Sequence, residues 1–316
     1  MTKPLVSICC ITYNHAPYIA QAIEGFLMQQ TNFEVEVVIH DDASTDGTSH
    51  IVRQYAQRYP EKIRATVHPV NKGMMPNFIG CLQDCRGEYI ALCEGDDYWT
   101  EPLKLVNQVK ALQQNPQWSG VAHRVNIVNQ ANEPLPAPNS FSGQEVDLHF
   151  LFHHKLGHFI PTCSLLFVAR YWRHPIWQEE LFFGDFTLHI VLALKGPIGF
   201  MHHQWACYRR HTGGISYGMN WQAYLAGYPR FYGIVKKYLP TGKKHYIHRN
   251  LFEVYLNGAN HYLGKGDLTQ GAKLVKEAIK HTGPSNVHKA ARLLLKLMYH
   301  AAKAVLSKKP VKLPVK

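Results

Sequence analysis

The sequence predicts an α/β protein built on a mostly parallel sheet with helices on both faces, followed by a helical C-terminal extension. Three observations predict it. Apolar strand-like runs alternate with amphipathic helical stretches over roughly the first hundred residues, polar and acidic clusters follow those runs, and the chain beyond residue 225 turns helical and basic.

The first strand, Leu5 to Ile11, runs into Thr12-Tyr13-Asn14-His15 and a helix carrying Ile19, Ile23, Phe26 and Leu27, with Asn14 as the expected N-cap. A second strand, Val35 to Ile39, leads into Asp41-Asp42-Ala43-Ser44-Thr45-Asp46-Gly47-Thr48 and a helix presenting Ile51, Val52, Tyr55, Ala56 and Tyr59 on one face. Strands are expected near 63–67 and 89–93, which completes β-α-β-α-β-α-β. Such sheets bind ligands beyond the carboxyl ends of their strands, where these polar clusters fall. The second cluster superficially matches a calcium loop starting at Asp42, but Arg53 stands where that loop needs a bidentate Glu. Asp41 is better suited to accept donors from a base edge or ribose.

The run Tyr89 to Leu92 ends in Cys93-Glu94-Gly95-Asp96-Asp97-Tyr98-Trp99. Three carboxylates so close together at a buried strand end call for a cation. Alternate side chains of an extended segment share a side, so Glu94 and Asp96 can converge on one hard divalent ion, with Gly95 opening the backbone to a ligand. Oxygen ligands favour Mg2+, Mn2+ or Ca2+ over zinc. The competing reading is an acidic turn before a helix capped by Thr100, with Pro102 in its first turn.

In order and spacing, Ser7, Thr12-Tyr13-Asn14, the Asp41–Thr48 cluster, Asn71-Lys72-Gly73 and Glu94-Gly95-Asp96-Asp97-Tyr98-Trp99 resemble the nucleotide-sugar-binding half of family 2 glycosyltransferases of the GT-A fold. The resemblance covers about residues 4–125 and extends to Gly184–Gly214. It implies that Thr12, Tyr13 and Asn14 line the base and ribose, that Asp41 and Asp42 lie on the donor side, and that Asn71, Lys72 and Gly73 lie near the sugar diphosphate. Glu94-Gly95-Asp96 occupies the D-x-D position, with Asp96 a metal ligand, Glu94 open between ribose, sugar and metal, and Asp97 directed to donor sugar or a metal-bound water.

Farther on, Phe182-Phe183-Gly184-Asp185-Phe186 precedes an apolar stretch and then Tyr208-Arg209-Arg210-His211-Thr212-Gly213-Gly214. By resemblance Asp185 is the base that accepts a proton from a sugar hydroxyl. The alternative is a helix cap. His211 is assigned to the metal or the diphosphate, and Arg209 or Arg210 to neutralising that diphosphate. Trp99, Trp205 and Tyr208, with Trp172 and Trp177, are assigned to the acceptor side, since aromatic rings suit sugar faces.

Three regions follow: a donor-binding half at 1–125, an acceptor and catalytic half at 126–225, and a basic helical extension at 226–316. The 316 residues carry seven cysteines with no C-x-x-C pair, read as reduced thiols, and a formal net charge of +12. Much of that charge lies after residue 230. Lys289, Arg292, Lys296, His300 and Lys303 fall near one helical face, with Leu294, Leu297, Met298, Ala301 and Val305 largely opposite. The helix either docks its basic face on an anionic membrane or packs its apolar face on a hairpin at 249–281.

No apolar run reaches membrane-spanning length, and a cytoplasmic protein, peripheral on the inner face of the plasma membrane, is expected. A nucleic-acid partner is not expected, because no recognised binding motif is present. A zinc site from His202, His203, Cys207 and His211 matches no standard spacing. What the family resemblance implies is an inverting, Mn2+- or Mg2+-dependent glycosyltransferase of surface-polysaccharide biosynthesis, with UDP-sugar the favoured donor and a saccharide or lipid-linked saccharide as acceptor. The rival readings are a non-catalytic sugar-nucleotide-binding or membrane-scaffold protein, and a nucleotidyltransferase on a related fold. The latter lacks its Gly-rich phosphate loop here.

Overall fold

The computed structural model describes residues 3–136, 141–153, 160–181, 183–214 and 220–306. The chain divides into two units, 1–218 and 219–316, described separately below.

In the first unit β1 (Val6–Thr12), α1 (Ile19–Leu27), β2 (Val35–Asp41), α2 (Thr48–Arg58), β3 (Ile63–Val67), α3 (Met74–Asp84) and β4 (Tyr89–Leu92) alternate as the hydrophobic pattern predicts. The four strands are parallel, in the order β3-β2-β1-β4. Val6, Ile8 and Cys10 face the core in alternation with Ser7 and Cys9, which are also buried, because helices cover both sheet faces. Helix α1 contributes Ile19, Ala22, Ile23 and Phe26 to that core.

After β4 come β5 (Tyr98–Trp99), α4 (Lys104–Gln114), β6 (Gly120–Asn129), β7 (Pro134–Leu135), β8 (Glu145–Val146), α5 (Leu148–His153), β9 (Leu166–Val168), α6 (Gly184–Ala193) and β10 (Ile198–Arg210). The sheet continues β4-β9-β6-β10-β5, with β7 on β6 and β8 on β10. Strand β9 is antiparallel to both β4 and β6, while β6 and β10 pair in parallel, so the sheet is mostly parallel, as expected, with an antiparallel strand inserted at its middle. The seven cysteines are free.

Two local expectations are corrected. Helix α1 starts at Ile19 after Tyr18, and Asn14 is instead held at φ 55 with its side chain accepting the Thr45 N–H. Helix α4 begins at Lys104 after Leu103, which removes Thr100 as its cap.

The second unit is helical: α7 (Trp221–Tyr238), α8 (His245–Gly264), α9 (Leu268–Lys280) and α10 (Val287–Leu306). Asn220 caps α7, and Asp267 caps α9 through the Gln270 N–H. Gly266, at φ 81, makes the turn between α8 and α9. Helix α10 packs Ala290 and Leu293 into the core formed by α8 and α9.

The faces of α10 differ from the expected two-sided pattern. Lys289 pairs with Glu253 at 2.5 Å and Lys296 donates to Asn260 at 2.8 Å, so part of the basic face turns toward the protein. Leu294, Leu295, Met298 and Tyr299 are 41%, 64%, 66% and 63% exposed. Lys308, Lys309, Lys312 and Lys316 lie outside the described residues.

Candidate active site

The carboxyl ends of β1, β2 and β4 and the end of β10 meet in one region. Strand β4 stops at Leu92, and as the chain turns the Gly95 N–H donates to the Ile11 carbonyl of β1. A Cβ on Gly95 would lie 2.6 Å from Thr12 Oγ1 and 2.8 Å from Ile19 Cδ1. Glycine is therefore required here for close approach of the protein's own chain.

Asp96 stands at the centre. Its Oδ2 lies 3.0 Å from His211 Nε2 and 3.7 Å from His15 Nε2. Ligand atoms of these three residues all fall within 4.8 Å of one another. Burial opposes ionisation of Asp96, but the His211 hydrogen bond and the neighbouring His15 outweigh it and hold the carboxyl below its ordinary range. Burial lowers the pKa of His15, against the pull of Asp96. A carboxylate with two imidazoles in one small volume is a donor set that fits a divalent cation.

Glu94 takes a different partner. Thr162 Oγ1 donates to it at 2.5 Å, and burial, joined by the charges of Asp96 and Asp185, pushes its carboxyl up to about 7. Asp185 sits half-buried in the first turn of α6 and accepts the Phe186 N–H at 2.7 Å. Phe182 lies outside the described residues.

Several expected ligand contacts turn inward. Asp97 is 2% exposed and accepts the Arg209 N–H at 2.8 Å, and burial with its carboxylate neighbours raises its pKa. Arg209 is also buried: its guanidinium donates to the Asp96 carbonyl, Asn132 and Gln21, each at 2.8 Å, and lies over Tyr18 and Tyr98. These contacts brace the strand end, so the diphosphate contact expected of Arg209 gives way to a structural one. Arg210 is exposed.

Asp41 is fully buried, with one oxygen accepting from Ser44 and the other from Ser49. It organises its own loop, in place of the expected base or ribose contact. Asp42 accepts the backbone N–H of Lys72 at 2.8 Å and of Gly73 at 2.9 Å, which ties the Asn71-Lys72-Gly73 loop to the end of β2. Asn71 also accepts from Gly73, whose φ of 87 favours glycine. Thr12 is buried with an unpartnered hydroxyl, whereas Tyr13 is 45% exposed.

Trp99 does not fit the acceptor role. Its indole donates to the Cys163 carbonyl at 2.8 Å, and its ring packs on Phe26 and under Lys104 in the core. Trp205 is 8% exposed and stacks on His203, while Tyr208 is half-buried. The sequence reading did not single out Thr162, Gln21 or Asn132, which carry no local motif. His15 had a signal, since it directly follows Thr12-Tyr13-Asn14.

Fold and site together define a GT-A protein with an acidic and histidine-bearing centre beyond its sheet. The sequence profile for glycosyl transferase family 2 matches residues 7–174, more than half of the chain, and the chain belongs to that family. An uncharacterized protein of Mycobacterium tuberculosis is 40% identical over 215 residues, 66% of this chain and 60% of that one. This chain thus matches about three-fifths of the length of its mycobacterial relatives. The uncharacterized glycosyltransferase EpsJ of Bacillus subtilis is 35% identical over 95 residues, 30% of this chain and 27% of that protein.

Among solved structures, S. aureus TarS 1–349 in complex with UDP-GlcNAc has a TM-score of 0.65 at 17% identity, covering 94% of this chain and 87% of that one. The Pyrobaculum calidifontis mannosyltransferase PcManGT, in complex with GDP-Man and Mn2+, has a TM-score of 0.51 at 16% identity, covering 98% and 89%. Both likenesses speak to the fold.

Proposed function

We propose that the chain is an inverting glycosyltransferase that moves a hexosyl unit from a nucleoside-diphosphate sugar to a saccharide or lipid-linked saccharide. One observation carries the reading: Asp96 and His211, distant in sequence, meet at 3.0 Å where a GT-A sheet opens to its donor. UDP-sugar is the favoured donor, in line with the UDP-GlcNAc complex of TarS.

Asp96 and His211 would hold a divalent cation, Mn2+ or Mg2+, which when bound supplies positive charge to the leaving diphosphate. Around it the chain positions and excludes. The half-exposed Tyr13 offers a ring for the base, and the Asn71-Lys72-Gly73 loop, fixed by Asp42, offers the lysine ammonium and backbone to the sugar diphosphate. Asp185 acts as the base that takes the acceptor hydroxyl proton, and Glu94, held by Thr162, is a further carboxyl group of the donor side. Tyr208 and Trp205 form the acceptor side. Surface-polysaccharide biosynthesis is the setting, on the cytoplasmic side of the membrane, with α10 in contact with anionic lipid.

The test is a panel of nucleotide sugars incubated with the purified protein and Mn2+, reading slow release of free sugar. Cation-dependent hydrolysis of one donor supports the reading. Donor binding without hydrolysis or transfer on any acceptor identifies a non-catalytic binding protein instead.

A further inference from the structure

We propose that His15 is a third ligand of the Asp96–His211 centre, and that its two imidazoles and one carboxylate select Mn2+-like transition ions over Mg2+. The inference rests on the reading of Asp96 and His211 as metal ligands and adds a residue and an ion preference to it.

The His15 ring is uncommitted while its backbone is not. Nδ1 is buried with no partner, and Nε2 lies 3.7 Å from Asp96 Oδ2, beyond hydrogen-bond reach. The ring meets that of His211 edge-on, with centroids 5.9 Å apart. A half-buried imidazole without a hydrogen bond, facing a carboxylate and a second imidazole, has the placement of a ligand.

The backbone around it is fastened to the acidic loop before α2. The His15 N–H donates to Thr48 Oγ1 at 2.8 Å, the Asn14 N–H to Ser44 Oγ at 2.8 Å, and the Ala16 N–H to Asp46 Oδ2 at 2.9 Å. Asp46 in turn accepts from the Thr48 N–H and hydroxyl. The Ser44-to-Thr48 segment thus aims His15 and leaves its ring free. Supporting contacts of this kind fix ligand orientation in metal centres.

Ligand chemistry decides the ion. Mg2+ prefers oxygen and retains its waters, whereas transition ions accept nitrogen ligands, with affinity rising from Mn2+ through Co2+ to their heavier neighbours. A centre with two nitrogen ligands therefore discriminates against Mg2+ more than one with carboxylates alone.

The experiment is a Mn2+ titration followed by electron paramagnetic resonance of the free ion, with and without UDP, and with Mg2+ as competitor. It is run on the wild type, His15→Ala, His15→Gln and His211→Ala. Both His15 variants should bind Mn2+ about tenfold or more weakly. The Mn2+-to-Mg2+ preference should fall in both, while thermal melts and metal-free UDP affinity stay near wild type. Unchanged Mn2+ affinity and preference in both His15 variants, with loss in His211→Ala, overturns the role of His15 and leaves the Asp96–His211 reading standing. A wild type that binds no Mn2+ under either condition overturns both metal assignments, while metal-free binding of a nucleotide sugar still tests the donor reading separately.

Discussion

The backbone N–H of Arg209 donates to Asp97 Oδ1 at 2.8 Å, across 112 residues of sequence. The last carboxylate of the acidic run thus holds the end of β10 against β5 and the core, and the site's far wall depends on it. Asp97→Ala strands that N–H and should lower stability by about 1–3 kcal/mol in chemical denaturation. Asp97→Asn keeps an acceptor oxygen, and because the folded protein raises the Asp97 pKa, the neutral amide should be nearly as stable as wild type. Equal losses in both variants would show that the negative charge, and not the acceptor, matters.

Lys104 is fully buried, donates to Gln108 at 2.7 Å and lies 3.9 Å from the centroid of Trp99. Burial lowers its pKa to about 7. An unfolded lysine titrates near 10.4, so between about pH 7 and 10 the unfolded chain holds the extra proton and stability rises with pH, by at most ~1.4 kcal/mol per unit. Lys104→Met should remove that rise and stabilise the protein at pH 7 by about 1 kcal/mol or more. Denaturation curves at pH 7 and 9 check both effects, and a pH slope that survives the substitution contradicts this assignment.

Asp185→Asn should leave donor affinity nearly unchanged and lower kcat by about 10²–10⁴-fold, the range for a lost general base. Single-turnover transfer assays decide it. Near-wild-type kcat returns Asp185 to a residue of the α6 first turn, and a raised donor dissociation constant places it in the donor pocket.

For the C-terminal helix, the exposed apolar residues are the informative ones. The double change Leu295→Glu and Met298→Glu should sharply reduce co-sedimentation with anionic vesicles, while the melting temperature holds, because both side chains are more than 60% exposed. Deleting the chain from about residue 286 should instead lower the melting temperature, since Ala290 and Leu293 belong to the α8–α9 core. Vesicle binding that survives the double change removes α10 from the membrane.

The alternating strands and helices of the first hundred residues were legible because period and turn residues are local properties. So were the acidic clusters at the strand ends, since their chemistry is carried by residue type. Which way each side chain points was not. Asp97, Arg209 and Trp99 have ligand-binding chemistry, yet partners far away in sequence turn them inward: Arg209 through Asn132 and Gln21, Trp99 through Cys163, whereas Asp41 is taken up by Ser44 and Ser49 of its own loop. Antiparallel β9, only three residues long, carried too short an apolar run to be told from loop. In α10 a two-faced pattern was expected, but Lys289 and Lys296 found partners on α8 and left Leu295 and Met298 outside.

The central claim is that Asp96 holds a divalent cation for a nucleoside diphosphate, and calorimetric titration of UDP with and without Mn2+ tests it most directly. In the wild type Mn2+ should tighten UDP binding, and Asp96→Ala should abolish that gain while leaving metal-free affinity close to wild type. An Asp96→Ala protein that loses the same affinity with and without Mn2+, or a wild type indifferent to the ion, would contradict the account.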